Sequence, residues 1–159
     1  MSRAATSSTR GGPSRGSAVR PARYLELRVT TTMAEAHAHS VVIIDDSGDA
    51  RDSLALLLEL EGHDVVTAAN GMAALDLIRT GQVRPCAIVL DLVMPHMDGL
   101  SFLQELQRSV HARIPVIVFT GHDGFRKEAL AKGCSAALLK PANPRELLRL
   151  VGHHCPPTA

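Results

Sequence analysis

The sequence predicts a doubly wound α/β domain on a single parallel sheet. Short, nearly continuous apolar runs such as Val41-Val42-Ile43-Ile44 and Cys86–Leu90 lack the alternation of a half-exposed strand and suit strands buried on both faces. Segments with helical apolar spacing stand between these runs, joined by short loops, and such alternation builds parallel βαβ crossovers. A chain of 159 residues holds one domain of this kind.

The elements follow in order from Ser40. The first strand is Val41–Ile44, ended by two acids, and Ser47–Glu61 is the first helix, with Ala50, Leu54, Leu57, Leu58 and Glu61 on one face and Gly62 as its stop. Asp64–Ala68 is a short strand; Asn70 caps a helix that runs to about Thr80 and closes at Gly81. Cys86–Leu90 is the third strand, Asp91–Gly99 a loop, and the next helix carries Leu100, Leu103, Leu106 and Val110. Ile114–Phe119 is a strand, Asp123–Lys132 a helix stopped by Gly133, and Ser135–Leu139 the last strand. Asn143-Pro144-Arg145-Glu146 opens the final helix with an Asn cap, Pro at the first turn and Glu three residues past the cap.

Charge divides the chain. Residues 1–32 hold six arginines against Glu26, a net +5, whereas residues 33–159 carry 11 basic and 15 acidic side chains, a net −4. The stretch 1–39 reads as a basic disordered tail, because its Ser, Gly, Pro and Ala bury too little to offset the entropy of ordering. Met33 is an alternative start that would account for the abrupt shift in composition. The folded domain is expected over 40–152, with a short C-terminal tail at 153–159. No apolar run approaches the ~18 residues of a membrane span, and the near-balanced total charge argues against a general nucleic-acid binder. Cys86, Cys134 and Cys155 are odd in number and widely spaced, which predicts a reduced, cytoplasmic protein without disulfides. Cys134 reads as a small packing residue, and His153-His154-Cys155 lacks a fourth ligand at any usual zinc spacing.

In parallel α/β sheets the site lies beyond the carboxyl ends of the strands. There the sequence places Asp45 and Asp46 after the first strand, Asp91 after the third, Thr120 after the fourth and Lys140-Pro141 after the fifth. Crowded carboxylates repel one another unless a cation compensates, and Mg²⁺, a hard oxygen-seeking ion, is the natural partner. A carboxylate beside a metal and a lysine is a plausible nucleophile toward phosphorus.

These motifs, VVIIDDS, DLVMPHMDG, PVIVFTG and LLKPA in succession, resemble the receiver domain of bacterial two-component response regulators. The resemblance covers about residues 40–152 and implies a flavodoxin-like (βα)5 fold with strand order 2-1-3-4-5, an order for which such receivers are themselves a standard illustration. It implies that Asp91 is the phosphoacceptor, supplied by a sensor or hybrid histidine kinase or a phosphotransfer protein. Asp46, Asp91 and the backbone carbonyl of Val93 would hold Mg²⁺, with Asp45 acting through a metal-bound water. Thr120 would donate its hydroxyl to one phosphoryl oxygen and Lys140 would pair with another, the Lys140-Pro141 bond being cis. Asp98 reads as cap chemistry for the third helix and stands outside the site.

Three positions depart from the family pattern. Ala137 stands where receivers carry a switching Tyr or Phe, so the aromatic readout is absent although the chemistry is kept. Ala142 follows Lys140-Pro141 where an aromatic is common. His122 and Val93 fall at the two positions that border the path of the hydrolytic water in this family.

After Val151 too few residues remain for a DNA-binding output domain, so a stand-alone receiver is expected, signalling through the face of the fourth helix, fifth strand and fifth helix. Lys127, Lys132, Arg145 and Arg149 on that side suit an acidic partner. An aspartyl-phosphate hydrolase is the rival enzyme reading, but it calls for D-x-D at the first strand and a cap domain. A non-phosphorylated binding module would not need the acid pair, acceptor, Thr and Lys that are all present.

Overall fold

A computed structural model of the chain describes residues 37–157. The elements are β1 (His37–Ile44), α1 (Gly48–Leu60), β2 (Asp64–Ala68), α2 (Gly71–Arg79), β3 (Val83–Leu90), α3 (Gly99–Gln107), β4 (Val116–Thr120), a 3-10 turn (Asp123–Phe125), α4 (Arg126–Ala131), β5 (Ala136–Leu139) and α5 (Pro144–His154). All strand pairs are parallel, in the order β2-β1-β3-β4-β5. The chain is therefore the doubly wound, flavodoxin-like fold.

The β-branched runs form strands because both their faces are covered. Alternate residues of β1 enter different layers: Val42 and Ile44 pack with Ala74, Leu75 and Ile78 of α2, Phe102, Leu103 and Leu106 of α3 and Ala129 of α4. Val41 and Ile43 pack with Leu58 of α1 and with Leu147 and Val151 of α5. Each such fully buried aliphatic side chain contributes roughly 1.5–3 kcal/mol of apolar transfer free energy. The caps are local: Asn70, Asp98 and Asn143, as the sequence predicts, and also Ser47, which the sequence places inside the first helix, each accept a backbone N–H from the first turn of the helix that follows. Gly62, Gly81 and Gly133 close helices with φ of 89°, 73° and 94°, a region that a Cβ disfavours.

Several boundaries differ from those the sequence predicts. β1 opens at His37 rather than after residue 39, so the end of the expected tail is strand; the rest of that tail, with the Met33 alternative, lies outside the described residues. Pairing between β1 and β3 slips on both sides of Ser40, with His39 at φ 64°. That bulge explains how β3 begins at Val83 and passes through Pro85, because a bulge tolerates a residue that has no N–H to donate. β4 begins only after Pro115. α3 ends at Gln107 and leaves Val110 93% exposed, because the Ser109 hydroxyl bonds the Leu106 carbonyl and accepts from His111 N, a local competitor of the helix ladder.

At the carboxyl end the expected tail at 153–159 is corrected. His153 and His154 complete α5, and Cys155 is 1% exposed in the core. The expectation of no disulfide is also overturned: Cys86 is bonded to Cys155 across 69 residues, with their Cα atoms 5.2 Å apart. Cys155 lies one helical turn past Val151, on the buried side of α5, and α5 returns its end to the start of β3. No linear spacing rule registers that proximity. Cys134 is free and buried, a packing residue as expected. No described helix is long and apolar enough to cross a membrane.

Candidate phosphoacceptor and metal site

The sheet order puts β1 and β3 side by side at its centre, so the residues that follow them meet. Asp91 N donates to Ile44 O at 2.9 Å, and Asp45 N donates to Ala68 O at 3.3 Å, which anchors both acidic segments to strand ends. Carboxylate oxygens of Asp45, Asp46 and Asp91 lie within 4.8 Å of one another; Asp45 is buried, Asp91 half-buried and Asp46 exposed.

Each carboxylate has a distinct environment. One oxygen of Asp45 accepts from Ser47 N at 2.9 Å and the other from Lys140 Nζ at 2.8 Å. Lys140 thus comes 95 residues along the chain to neutralise the most buried acid of the site. Asp91 Oδ1 accepts from Leu92 N at 2.8 Å. Burial pushes the Asp91 carboxyl above its ordinary range and the nearby Asp45 charge adds to this, while Lys140 and hydrogen bonds from Leu92 N and the Thr120 hydroxyl oppose it.

Thr120 is fully buried at the end of β4, and its Oγ1 accepts from His122 N at 3.3 Å. Lys140 N donates to Thr120 O at 2.7 Å, so the last two strands deliver hydroxyl and amine together. The Lys140-Pro141 peptide is cis, and Lys140 Nζ lies 5.2 Å from the centroid of the Phe119 ring. His122 is exposed, with its ring 6.3 Å from that of Phe125. Val93 is 45% exposed beside the acceptor, at the edge of an apolar hollow that Leu92, Met94, Leu100 and Phe125 also line. Ala137 is half-buried against the layer of α2, α3 and α4. Asp98 caps α3 through Ser101 N and is not among the clustered acids.

The donor set fits Mg²⁺. Three carboxylates supply hard oxygens; both oxygens of Asp45 are engaged by Ser47 and Lys140, and Asp91 accepts from Leu92 N and Thr120, so the exposed Asp46 is the acid most open to direct coordination, with Asp91 beside it.

Two residues given no role in the site on sequence grounds also shape it. Arg51, one turn into α1, donates from Nη1 to the carbonyl of Asp45, 2.6 Å away, and braces the backbone of the acid pair. Gly99 opens α3 directly against the acceptor: its N–H donates to Leu92 O at 2.9 Å, and a Cβ there would collide with Asp91 O and sit 2.7 Å from Leu92 Cα. Gly99 closes the DLVMPHMDG motif, which was its signal in the sequence; Arg51 lies outside the four motifs.

With this geometry in view, comparison with known proteins is direct. Residues 41–152 match the response regulator receiver domain, and the chain belongs to that family, the signalling domain of two-component systems. It is 38% identical over 110 residues to the response regulator MprA of Mycobacterium sp. (strain KMS), an alignment covering 68% of this chain and 46% of that protein. It therefore spans about half the length of that relative. A 14.6 kDa protein of Leptolyngbya boryana is 35% identical over 125 residues, covering 75% of this chain and 94% of that one. Among solved structures, the chemotaxis protein CheY4 of Vibrio cholerae superposes with a TM-score of 0.64 at 30% identity, covering 75% of this chain and 99% of that one. Response regulator TrrA of Thermotoga maritima, solved in complex with Mg²⁺-BeF, gives 0.66 at 25% identity, covering 72% and 96%.

Proposed function

We propose that Asp91 accepts a phosphoryl group from a phosphohistidine on a sensor or hybrid histidine kinase or a phosphotransfer protein, in a Mg²⁺-dependent reaction in the cytoplasm. A carboxylate oxygen of Asp91 bonds to phosphorus as the P–N bond to the donor imidazole breaks, and the imidazole leaves. The observation that carries this reading is the convergence of Asp45, Asp46 and Asp91 within 4.8 Å, with Lys140 Nζ 2.8 Å from Asp45. Asp46, Asp91 and the Val93 carbonyl would hold the metal, and Asp45 would act through a water. When bound, the ion neutralises charge on the transferred phosphoryl oxygens.

The protein groups do the rest by position and charge. The Thr120 hydroxyl donates to one phosphoryl oxygen, and Lys140 leaves Asp45 to pair with another. Val93 and His122 flank the approach of the hydrolytic water and set how long the aspartyl phosphate lasts. The domain assists its own phosphorylation and dephosphorylation in this way, as a signalling module and not as an enzyme with a separate substrate.

Without an aromatic at Ala137, the phosphorylated state is passed on through shifts of the loops and of α4, β5 and α5, either to a protein partner or by onward transfer of the phosphoryl group. A signal of this kind needs two states that differ in their contacts. Lys127, Arg145 and Arg149 are exposed on that side, and Lys132 is partly so.

Intact-mass spectrometry after incubation with acetyl phosphate and Mg²⁺ tests the reading. One phosphoryl adduct is expected on the parent protein and none on Asp91→Asn. An adduct that persists in the variant, or a parent that stays unmodified with both acetyl phosphate and a phosphorylated phosphotransfer protein, would refute it.

A further inference from the structure

The disulfide between Cys86 and Cys155 lies at the opposite end of the sheet from the acids. From Cys86 to Asp91 along β3 is on the order of 17 Å. The bond therefore plays no part in the phosphoryl chemistry, and it must be explained by what it joins.

It joins two elements beside an irregularity in a third. Cys86 lies near the start of β3, Cys155 ends α5, and the two sulfurs lie 3.4 Å from Ser40 O and 3.7 Å from His39 O, the carbonyls of the β1 bulge. The last turn of α5 has little else to hold it. Gly152 has no neighbour within 4 Å of where a Cβ would stand, and glycine is a poor helix former. His153 is exposed and His154 partly so. Beyond Val151, Cys155 is the remaining core contact of that turn.

The same geometry suits the reduced state. As thiols, both cysteines already have a carbonyl acceptor in reach, so reduction leaves neither sulfur stranded in an apolar wall. Cys86 is half-buried while Cys155 is 1% exposed, which orders the reaction: the outer sulfur meets a reagent first and the inner one resolves it. A disulfide in a reducing compartment is usually a transient, regulatory one.

We infer that Cys86 and Cys155 are a reversible dithiol–disulfide pair that clamps the C-terminal turn of α5 to β3 when oxidised by a low-molecular-weight disulfide of the glutathione class. The Cys86 thiolate attacks the small disulfide and releases one small thiol, forming a mixed disulfide. The Cys155 thiolate then displaces the second small thiol. Two protein thiols and one small disulfide give one protein disulfide and two small thiols, so the protein is oxidised by two electrons as the small disulfide is reduced by two. Only the choice of oxidant draws on the cytoplasmic reading; the clamp itself is independent of Asp91 phosphorylation.

The test equilibrates the full chain in buffers of varied reduced-to-oxidised glutathione ratio, quenches with acid, denatures and alkylates, and counts adducts by mass. The fully reduced chain carries three adducts, one for each cysteine; the oxidised chain carries one, on Cys134. A smooth change between these forms across the glutathione range is expected. Amide hydrogen exchange across residues 152–155 is expected to slow by ~10-fold or more on oxidation, while α1 stays unchanged. Cys155→Ser and, separately, Cys86→Ser should exchange like the reduced protein under both conditions. A bond that persists in excess reduced glutathione, one that never forms with oxidised glutathione, or equal exchange of 152–155 in the two states would each overturn the inference.

Discussion

Gly99→Ala is the substitution for which propensity and packing give opposite signs. The residue opens α3 at a negative φ, so on backbone grounds alanine should stabilise the helix by about 0.5–1 kcal/mol. Packing reverses this. The added Cβ would overlap Asp91 O and stand 2.7 Å from Leu92 Cα, where ordinary contact begins near 3.4 Å, so the chain carrying the acceptor must retreat by at least about 0.7 Å. Both obstacles are backbone atoms, which no rotamer change relieves. Overpacking of this kind costs about 1–3 kcal/mol, enough to outweigh the propensity gain and lower Tm by several degrees. Displacing the nucleophile by a large fraction of an ångström should also slow phosphorylation by acetyl phosphate by ~10-fold or more. Urea denaturation and the initial rate of adduct formation by mass spectrometry measure the two effects. Gly152→Ala is the control, since a Cβ there meets nothing within 4 Å, and it should be neutral or stabilising with an unchanged rate. A Gly99→Ala protein as stable and as fast as the parent would refute the steric account of this position.

Three further outcomes follow from the site. The raised Asp91 pKa means that, without metal, the folded state holds a proton the unfolded chain has lost, so stability falls as pH rises from the ordinary value of 3.8 through the folded value. Asp91→Asn removes this burden: in EDTA its Tm should exceed the parent's at pH 7, and the gap should close below the ordinary carboxylate range. Lys140→Ala strands the buried Asp45 carboxylate, whose side chain is 4% exposed, and should cost about 2 kcal/mol in metal-free denaturant melts; Mg²⁺ should restore part of that loss. Mg²⁺ should raise the parent's Tm by mass action, and Asp46→Asn should lose most of the gain. An equal Mg²⁺ effect in that variant would remove Asp46 from the metal site.

Much of this molecule was legible in the chain because the signals concerned are local. Apolar runs, helical spacing and the caps Asn70, Asp98 and Asn143 act within a few residues of themselves, so periodicity and capping chemistry report them. The identities at the strand ends, Asp45, Asp46, Asp91, Thr120 and Lys140, were equally readable, since a parallel sheet brings the carboxyl ends of its strands to one rim.

What tertiary structure decided is how residues far apart in sequence meet. The pairing of Lys140 with Asp45, and not with Asp91, depends on where β5 ends relative to β1. The approach of Gly99 to Asp91 depends on how the loop after β3 folds back. The early starts of β1 and β3 rest on a bulge that exists only between two strands, and the Cys86–Cys155 bond on α5 returning across the sheet. Local pattern encodes which face of an element is buried; strand register and helix docking, which set distances between elements, are properties of the packed whole.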